Sequence, residues 1–266
     1  LDALVAQASG MSPADIPEAV LSRIPGWGGA HKRKLAGGLT NQTYLVEREG
    51  RRAVLKIDST PRTTPYNSRE AEARIQTAAA ESHLAGRVLF VDSTVYLVEY
   101  LEGCVWTRAT LNDEHNLVDL ANALRELHAL PLTGRTFDAK LAAHKYMEKI
   151  DGAGTLKFGR CMDIIESMPV PQDPCCCHND LVVENIIAMP ELRFIDWEYA
   201  CDNDPFFDLA TIVAHHDLPE GQIEILMGAY FGGDAARWRD RLAMYVRLYD
   251  SLHCLWRAAG IQDRTQ

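Results

Sequence analysis

The stretch His178-Asn179-Asp180-Leu181-Val182-Val183-Glu184-Asn185 is followed closely by Phe194-Ile195-Asp196-Trp197-Glu198. It places one carboxylate, an amide five residues later, and a second carboxylate after a short apolar excursion. Those are the parts of a phosphoryl-transfer site. One carboxylate meets an acceptor hydroxyl, while an amide oxygen and a second carboxylate hold magnesium on the phosphates. Residues 186–189 and 192–195 are short apolar runs separated by Pro190 and Glu191, which predicts a hairpin. Closing that hairpin sets Asn185 roughly opposite Asp196, two oxygen donors facing each other as a hard cation requires. Two other readings use the same residue types. His178 and Asp180 also fit a hydrolase pair. His215-His216-Asp217 offers metal ligands, but adjacent helical residues point in different directions and share a metal poorly.

The elements that must position these groups are legible in outline. Residues 43–47 and 52–57 are β-prone runs around Glu49-Gly50, a hairpin signal. Gly37-Gly38-Leu39-Thr40-Asn41 lies just ahead of that hairpin, and paired glycines let backbone approach a phosphate. It is not a Walker loop, since Gly-Lys-[Ser/Thr] is absent. Lys56 ends the second strand, where it reads as a point charge on phosphates or as a solvated strand-end lysine. Residues 69–80 have helical composition. Glu72 there is a partner for Lys56, and Glu70 is not dismissed by spacing. Residues 87–91 and 95–101 read as two more strands. Glu99-Tyr100-Leu101 offers strand backbone to an adenine, or is a plain linker.

The second half turns helical. Leu117, Leu120, Leu124 and Leu127 form one apolar face. Thr110 with Asp113 is a cap for its start. A helix over 140–150 precedes a Gly-rich break at 151–154. Pro169, Pro171 and Pro174 mark the loop before the His178 stretch. Beyond Asp208 three helical segments close the chain, the last over 242–259. Asp208, set among apolar residues, is either a helix N-cap or a brace for the 178–185 loop. Strands first and helices later give an α+β fold of two unequal lobes, 1–102 and 103–266.

Composition narrows the function classes. The chain has 266 residues, 47% hydrophobic and 24% charged, with formal net charge −10. An acidic protein is a poor general partner for nucleic acid or anionic membrane. No apolar run reaches the roughly 18 residues of a membrane span. Seven cysteines, three of them consecutive at 175–177, make a poor disulfide framework and suit a reducing cytoplasm. The Cys-Cys-Cys-His run reads as a buried strand rather than a zinc module, whose ligands usually have residues between them.

Glycine pair, strand lysine, helix glutamate, linker, H-x-D-x-x-x-x-N and I-D-W-E occur in the order of a kinase-like fold. The chain resembles the choline/ethanolamine kinase branch of the aminoglycoside phosphotransferase superfamily, the small-molecule relatives of protein kinases. The resemblance spans about residues 35–210 and rests on the motifs above, with Leu55-Lys56, Val98-Glu99-Tyr100-Leu101-Glu102-Gly103 and Trp197-Glu198-Tyr199-Ala200. It implies a bilobal protein-kinase-like fold, with a strand-rich nucleotide-binding lobe and a mainly helical catalytic and substrate lobe. It also implies ATP and Mg2+ as cofactors and a small cationic alcohol, choline or ethanolamine first, as acceptor. Aminoglycoside, thiamine or another small alcohol is the alternative within the class. A nucleotide-binding pseudokinase is the alternative outside it, opposed by the presence of Lys56, Asp180, Asn185 and Asp196.

By the same resemblance Asp180 is the catalytic base or hydroxyl-orienting group. Asn185 and Asp196 are magnesium ligands, with Glu198 a further one. Gly38, Thr40, Asn41, Lys56, Glu72, Glu99 and Leu101 serve the nucleotide. His178 and Asp208 support the loop. Trp256, His253 and Tyr199 face the acceptor, and His253 stands where the family carries a second tryptophan.

Overall fold

The structure, a computed structural model, describes residues 16–35, 41–64, 67–150, 155–233 and 235–260. The chain divides into two compact units, Leu1–Glu102 and Gly103–Gln266.

The first unit is an antiparallel sheet with helices. Helix α1 (Ile16–Arg23) precedes β1 (His31–Lys34), β2 (Asn41–Arg48) and β3 (Arg51–Asp58). A two-stranded ribbon follows, β4 (Thr63–Thr64) and β5 (Asn67–Ser68), then α2 (Arg69–Glu81), β6 (Val88–Val91) and β7 (Val95–Glu99). The main sheet runs in the order β1-β2-β3-β7-β6. Alternation builds its core: Ala53, Leu55 and Ile57 of β3 are buried beside Val46 of β2 and Leu97 of β7. The β2–β3 turn has positive φ at both Glu49 (52°) and Gly50 (74°), the hand that matches strand twist. Strand β1 was not legible in sequence. Its His-Lys-Arg-Lys composition carries no apolar alternation, because it is an edge strand whose charges discourage further pairing. The Gly37-Gly38-Leu39-Thr40 run lies outside the described residues, as does the 151–154 break.

The second unit is mainly helical. It contains β8 (Cys104–Val105), α3 (Arg108–Leu111), α4 (Glu114–His128), α5 (Ala139–Met147) and α6 (Gly159–Ser167). There follow β9 (Cys175–Cys177), β10 (Ile186–Ala188), β11 (Leu192–Phe194) and β12 (Cys201–Asn203), then α7 (Pro205–His215), α8 (Glu220–Phe231) and α9 (Arg239–Ala258). Asp113 caps α4 and Thr107 with Thr110 box-caps α3, so the single cap expected from Thr110 and Asp113 is two. Leu117, Leu120, Leu124 and Leu127 are all fully buried. The 186–195 hairpin forms, and β8 pairs on its open edge. A Cβ on Gly103 would lie 2.4 Å from the Ala188 carbonyl oxygen, so only glycine permits that approach. Helix α7 starts at Pro205, so Asp208 lies inside its first turn and Asp204 is the N-cap. The N-cap reading of Asp208 is thereby corrected.

Beside the first unit's sheet lies a buried ion cluster. Arg69 is fully buried at the start of α2, its Nε and Nη2 donating to the two oxygens of Asp58 at 2.6 and 2.8 Å. Its Nη1 donates to Glu72 at 2.6 Å, and its guanidinium lies 5.3 Å from the centre of the Tyr96 ring. Arg62 adds a second cation on Asp58 at 3.0 Å. Burial alone would lower the Arg69 pKa; bonding to Asp58 and the Glu72 charge outweigh it, and the guanidinium is held charged. Removing the cation would strip the buried Asp58 and Glu72 carboxylates of the bonds that Arg69 donates to them. Arg69→Met should therefore cost about 3–5 kcal/mol in chemical denaturation, the range for breaking a buried pair. A loss below about 1 kcal/mol would show that the cluster is not what ties α2 to the sheet.

Candidate active site

The 178–185 loop follows β9, whose residues pair with β12 in the register Cys177↔Cys201. Side-chain hydrogen bonds hold its first turn. The Asp208 carboxylate, fully buried on α7, accepts from the backbone N–H of His178 at 2.9 Å and of Asn179 at 2.7 Å. Its Oδ2 also accepts from His128 Nε2 at 3.1 Å, and the Tyr230 hydroxyl lies 2.6 Å from His128 Nδ1. His178 donates from Nε2 to the Ile195 carbonyl at 3.0 Å, and its ring packs 4.9 Å from that of Trp197. Asn179 takes the left-handed conformation, φ 63°. Its amide donates to the carbonyls of Tyr199 and Cys201 at 3.2 and 3.3 Å and accepts from Asn203 at 2.7 Å.

These contacts set Asp180 and Asn185. Asn185 ends a 3-10 turn (Val183–Asn185), and its Nδ2 donates to the Asp180 carbonyl at 2.8 Å and to Asp180 Oδ2 at 3.1 Å. The amide nitrogen is thus turned to Asp180, which leaves the amide oxygen as the donor end for a cation. Across the hairpin the Asn185 carbonyl accepts from Ile195 N–H at 3.0 Å, so Asn185 faces Ile195 and Asp196 is the next residue along. Asp196 is left-handed, φ 66° and ψ 63°, and caps a 3-10 turn (Trp197–Tyr199) that carries Glu198. Amide and carboxylate oxygens without a soft ligand form a donor set that fits Mg2+.

On α9 the side chains at 249, 253 and 256 form one row. Ring centres are 5.6 Å apart from Tyr249 to His253 and 5.8 Å from His253 to Trp256. His215 of α7 joins the row, its Nδ1 2.8 Å from the Tyr249 hydroxyl. Leu252 and Leu255 take the buried face, leaving His253 and Trp256 half-buried. Asp250 lies beside the row, and burial raises its carboxyl above the usual range. Tyr199 is exposed on the turn after Asp196.

In the first unit Lys56 lies on β3 opposite Thr43 and Tyr96. Glu72 is buried and accepts from Arg69, a partner that spacing did not suggest. Glu99 donates its N–H to the Arg87 carbonyl at 2.9 Å and pairs its carboxylate with the Arg87 side chain. Leu101 follows β7 and is half-buried. Asn41 opens β2, its Oδ1 accepting from the Thr43 hydroxyl at 2.9 Å. Gly38 and Thr40 lie outside the described residues. Sequence reasoning missed His128, Tyr230 and Asn203, which reach the loop through contacts distant in sequence.

His216, which the sequence offered only as a weak metal ligand beside His215 and Asp217, has another role: its Nε2 accepts from the Val183 N–H at 3.2 Å and so steadies the turn that carries Asn185. Burial, then the neighbouring His215 and Arg108, lower its pKa from 6.5 to about 4, against a small opposing effect of Asp217. Acceptance requires the bare nitrogen, so protonation breaks the bond. Between these two values the unfolded chain binds the proton and the folded one does not, so stability falls as pH drops from about 6.5 to about 4. The loss is on the order of up to 3 kcal/mol. Thermal unfolding against pH should show a shallower slope in that window for His216→Gln than for the parent chain. Identical slopes would mean that His216 does not titrate with unfolding.

A 31% identical relative over 207 residues is the protein LicA of Haemophilus influenzae; the match takes in 73% of this chain and 61% of that protein, under two thirds of its length. A thiamine kinase of Salmonella typhimurium is 29% identical over 208 residues, 76% of this chain and 73% of that protein. A solved structure of a choline/ethanolamine kinase family protein from Mesorhizobium loti superposes with a TM-score of 0.71 at 27% identity, covering 91% of this chain and 84% of the other. The profile of the phosphotransferase enzyme family matches residues 32–242, most of the chain and all of the loop and hairpin just described, so the chain belongs to that family.

Proposed function

We propose that this protein is a small-molecule kinase that transfers the γ-phosphoryl group of ATP to the hydroxyl of a small cationic alcohol, choline or ethanolamine first. The observation that carries the reading is the 178–185 loop. Its backbone is bonded to a buried carboxylate at its start and its Asn185 amide is bonded to Asp180 at its end. An Asp180 fixed in this way can accept a hydrogen bond from an acceptor hydroxyl, orient its oxygen and take its proton as the new bond forms. Asn185 and Asp196, with Glu198 close in sequence, are the residues that would hold Mg2+, whose charge neutralises phosphate oxygens when bound. Lys56 would meet phosphates as a point charge, and the backbone about Glu99 and Leu101 would meet adenine. Asp208 and His178 act on the loop rather than on the substrate.

Support for a cationic acceptor comes from the Tyr249, His253, Trp256 row and the carboxylate of Asp250 beside it. Aromatic faces attract quaternary and protonated amines. A thiamine-type acceptor is the second reading. The thiamine kinase relative favours it, and an imidazole in the middle of the row, where a larger indole would bind a quaternary ammonium more strongly, weakens the case for choline.

Two experiments test the reading. The first is ATP turnover against a panel of choline, ethanolamine, thiamine and amino sugars. Asp180→Asn should leave nucleotide affinity nearly intact and lower kcat on the preferred acceptor by about 10² or more. Wild-type turnover by that variant would sink the assignment. The second concerns the π row. Trp256→Leu keeps apolar bulk and should raise KM for a cationic acceptor by about 2- to 30-fold, with little change in the KM for ATP. Lower thermal stability with an unchanged acceptor KM would instead make Trp256 a packing residue.

A further inference from the structure

The cysteine run before the loop has a geometry that its sequence conceals. Read along the chain, Cys175, Cys176 and Cys177 are crowded. On strand β9, however, neighbours point to opposite faces, so alternate members share one face. Cys175 and Cys177 do so, their sulfurs 3.6 Å apart. Cys176 lies between them in sequence and is buried. His128, at the C-terminal end of α4, meets the same face. One ring nitrogen of His128 and the two sulfurs all lie within 4.8 Å of one another.

Three details of this cluster match a soft-metal site. Two thiolates on a tetrahedral Zn2+, each at about 2.3 Å, sit about 3.8 Å apart, close to the spacing already present. The Nε2 of His128 faces the buried Asp208 carboxylate at 3.1 Å, which fixes the tautomer with Nδ1 bare. A carboxylate behind the imidazole is the arrangement that orients histidine ligands and raises their basicity. The Tyr230 hydroxyl is the present partner of Nδ1, at 2.6 Å, and an ion bound at that nitrogen would displace it. We propose that Cys175, Cys177 and His128 form a binding site for a thiophilic d10 cation, Zn2+ in the first instance, with a water or the displaced Tyr230 hydroxyl as fourth ligand.

The site is separate from the oxygen donors Asn185 and Asp196, and it selects for a different metal by softness. It is nevertheless joined to the loop. The Asp208 carboxylate that holds the His178 and Asn179 amides is the same one that backs His128. Occupancy would tie the end of α4 to β9 directly beneath the loop.

Cobalt tests this with the full chain, reduced and stripped of metal by a chelator. Titrated Co2+ should bind at one equivalent per chain and give a sulfur-to-cobalt charge-transfer band that one equivalent of Zn2+ erases. The band should be lost or weakened in Cys175→Ser and Cys177→Ser and kept in Cys176→Ser. The surface thiols are controls. A chain carrying Cys104→Ser and Cys254→Ser together should keep the band. Zn2+ should also raise the midpoint of thermal unfolding of the parent chain and not that of Cys175→Ser. If Cys177→Ser does not fold, the half-buried Cys175 decides. Absence of the band, its survival in Cys175→Ser, or its loss with the two surface thiols overturns the proposal.

Discussion

The second unit depends on one buried carboxylate. Asp208 has no exposure to water and would be costly there without partners. It has three donors, the amides of His178 and Asn179 and the imidazole of His128. Charge-assisted bonds of this kind are about twice as strong as neutral ones. The desolvation cost is therefore met only if strand β9, helix α4 and helix α7 are all in place. That requirement is what makes the loop rigid. A loop held only by its own turns would sample many conformations, whereas this one cannot leave its position without taking two of its three donors from a fully buried carboxylate.

The first unit uses the same device with the sign reversed. Arg69 is a buried cation between Asp58 and Glu72, and Arg62 sets a second cation on Asp58. Arginine suits the role because its planar fork satisfies two carboxylates from one position. Strand β3 and helix α2 are thereby tied at the end of the strand that also carries Lys56. The Glu72 carboxylate is thus part of a network with Arg69 and Asp58. Changing Glu72 would also disturb Arg69, so its effect on activity is not a measure of nucleotide contact alone.

Local rules carried much of the fold. The β2–β3 hairpin and the leucine face of α4 followed from turn chemistry and periodicity, as did the 186–195 hairpin. The order of motifs along the chain carries the kinase-like arrangement. What escaped was of two kinds. Edge strand β1 and helix α1 lack a clean pattern, because one is charged throughout and the other buries only Pro17 and Leu21. The second kind is long-range pairing. Nothing near Asp208 in sequence points to His128, eighty residues earlier, and nothing near Val183 points to His216. The cysteine run shows the same limit from the other side. The ligand spacing that counts against a metal along the chain disappears once the pleat sorts alternate thiols to one face.

Two residues near the candidate chemistry hold left-handed backbone without being glycine, Asn179 at φ 63° and Asp196 at φ 66°. Such conformations cost on the order of 1–3 kcal/mol and persist only where surroundings over-determine them. The surroundings here are identifiable. Asn179 spends its amide on the Tyr199 and Cys201 carbonyls and on Asn203, while Asp208 holds its N–H. Asp196 sits between the Ile195 carbonyl, fixed by His178, and buried Trp197, whose indole donates to the Phe194 carbonyl at 3.0 Å. Asparagine and aspartate tolerate this region better than other side chains. They also bring a polar group with them, which glycine would not. The backbone reversal therefore does two things at once at each position. It turns the chain sharply, and at Asn179 the side chain that permits the turn also bonds strand β12 and the turn before it. At Asp196 the same reversal leaves a carboxylate at the end of the hairpin strand, one residue beyond the partner of Asn185. Replacing either residue with glycine would keep the turn and lose the polar group, which separates the conformational role from the chemical one.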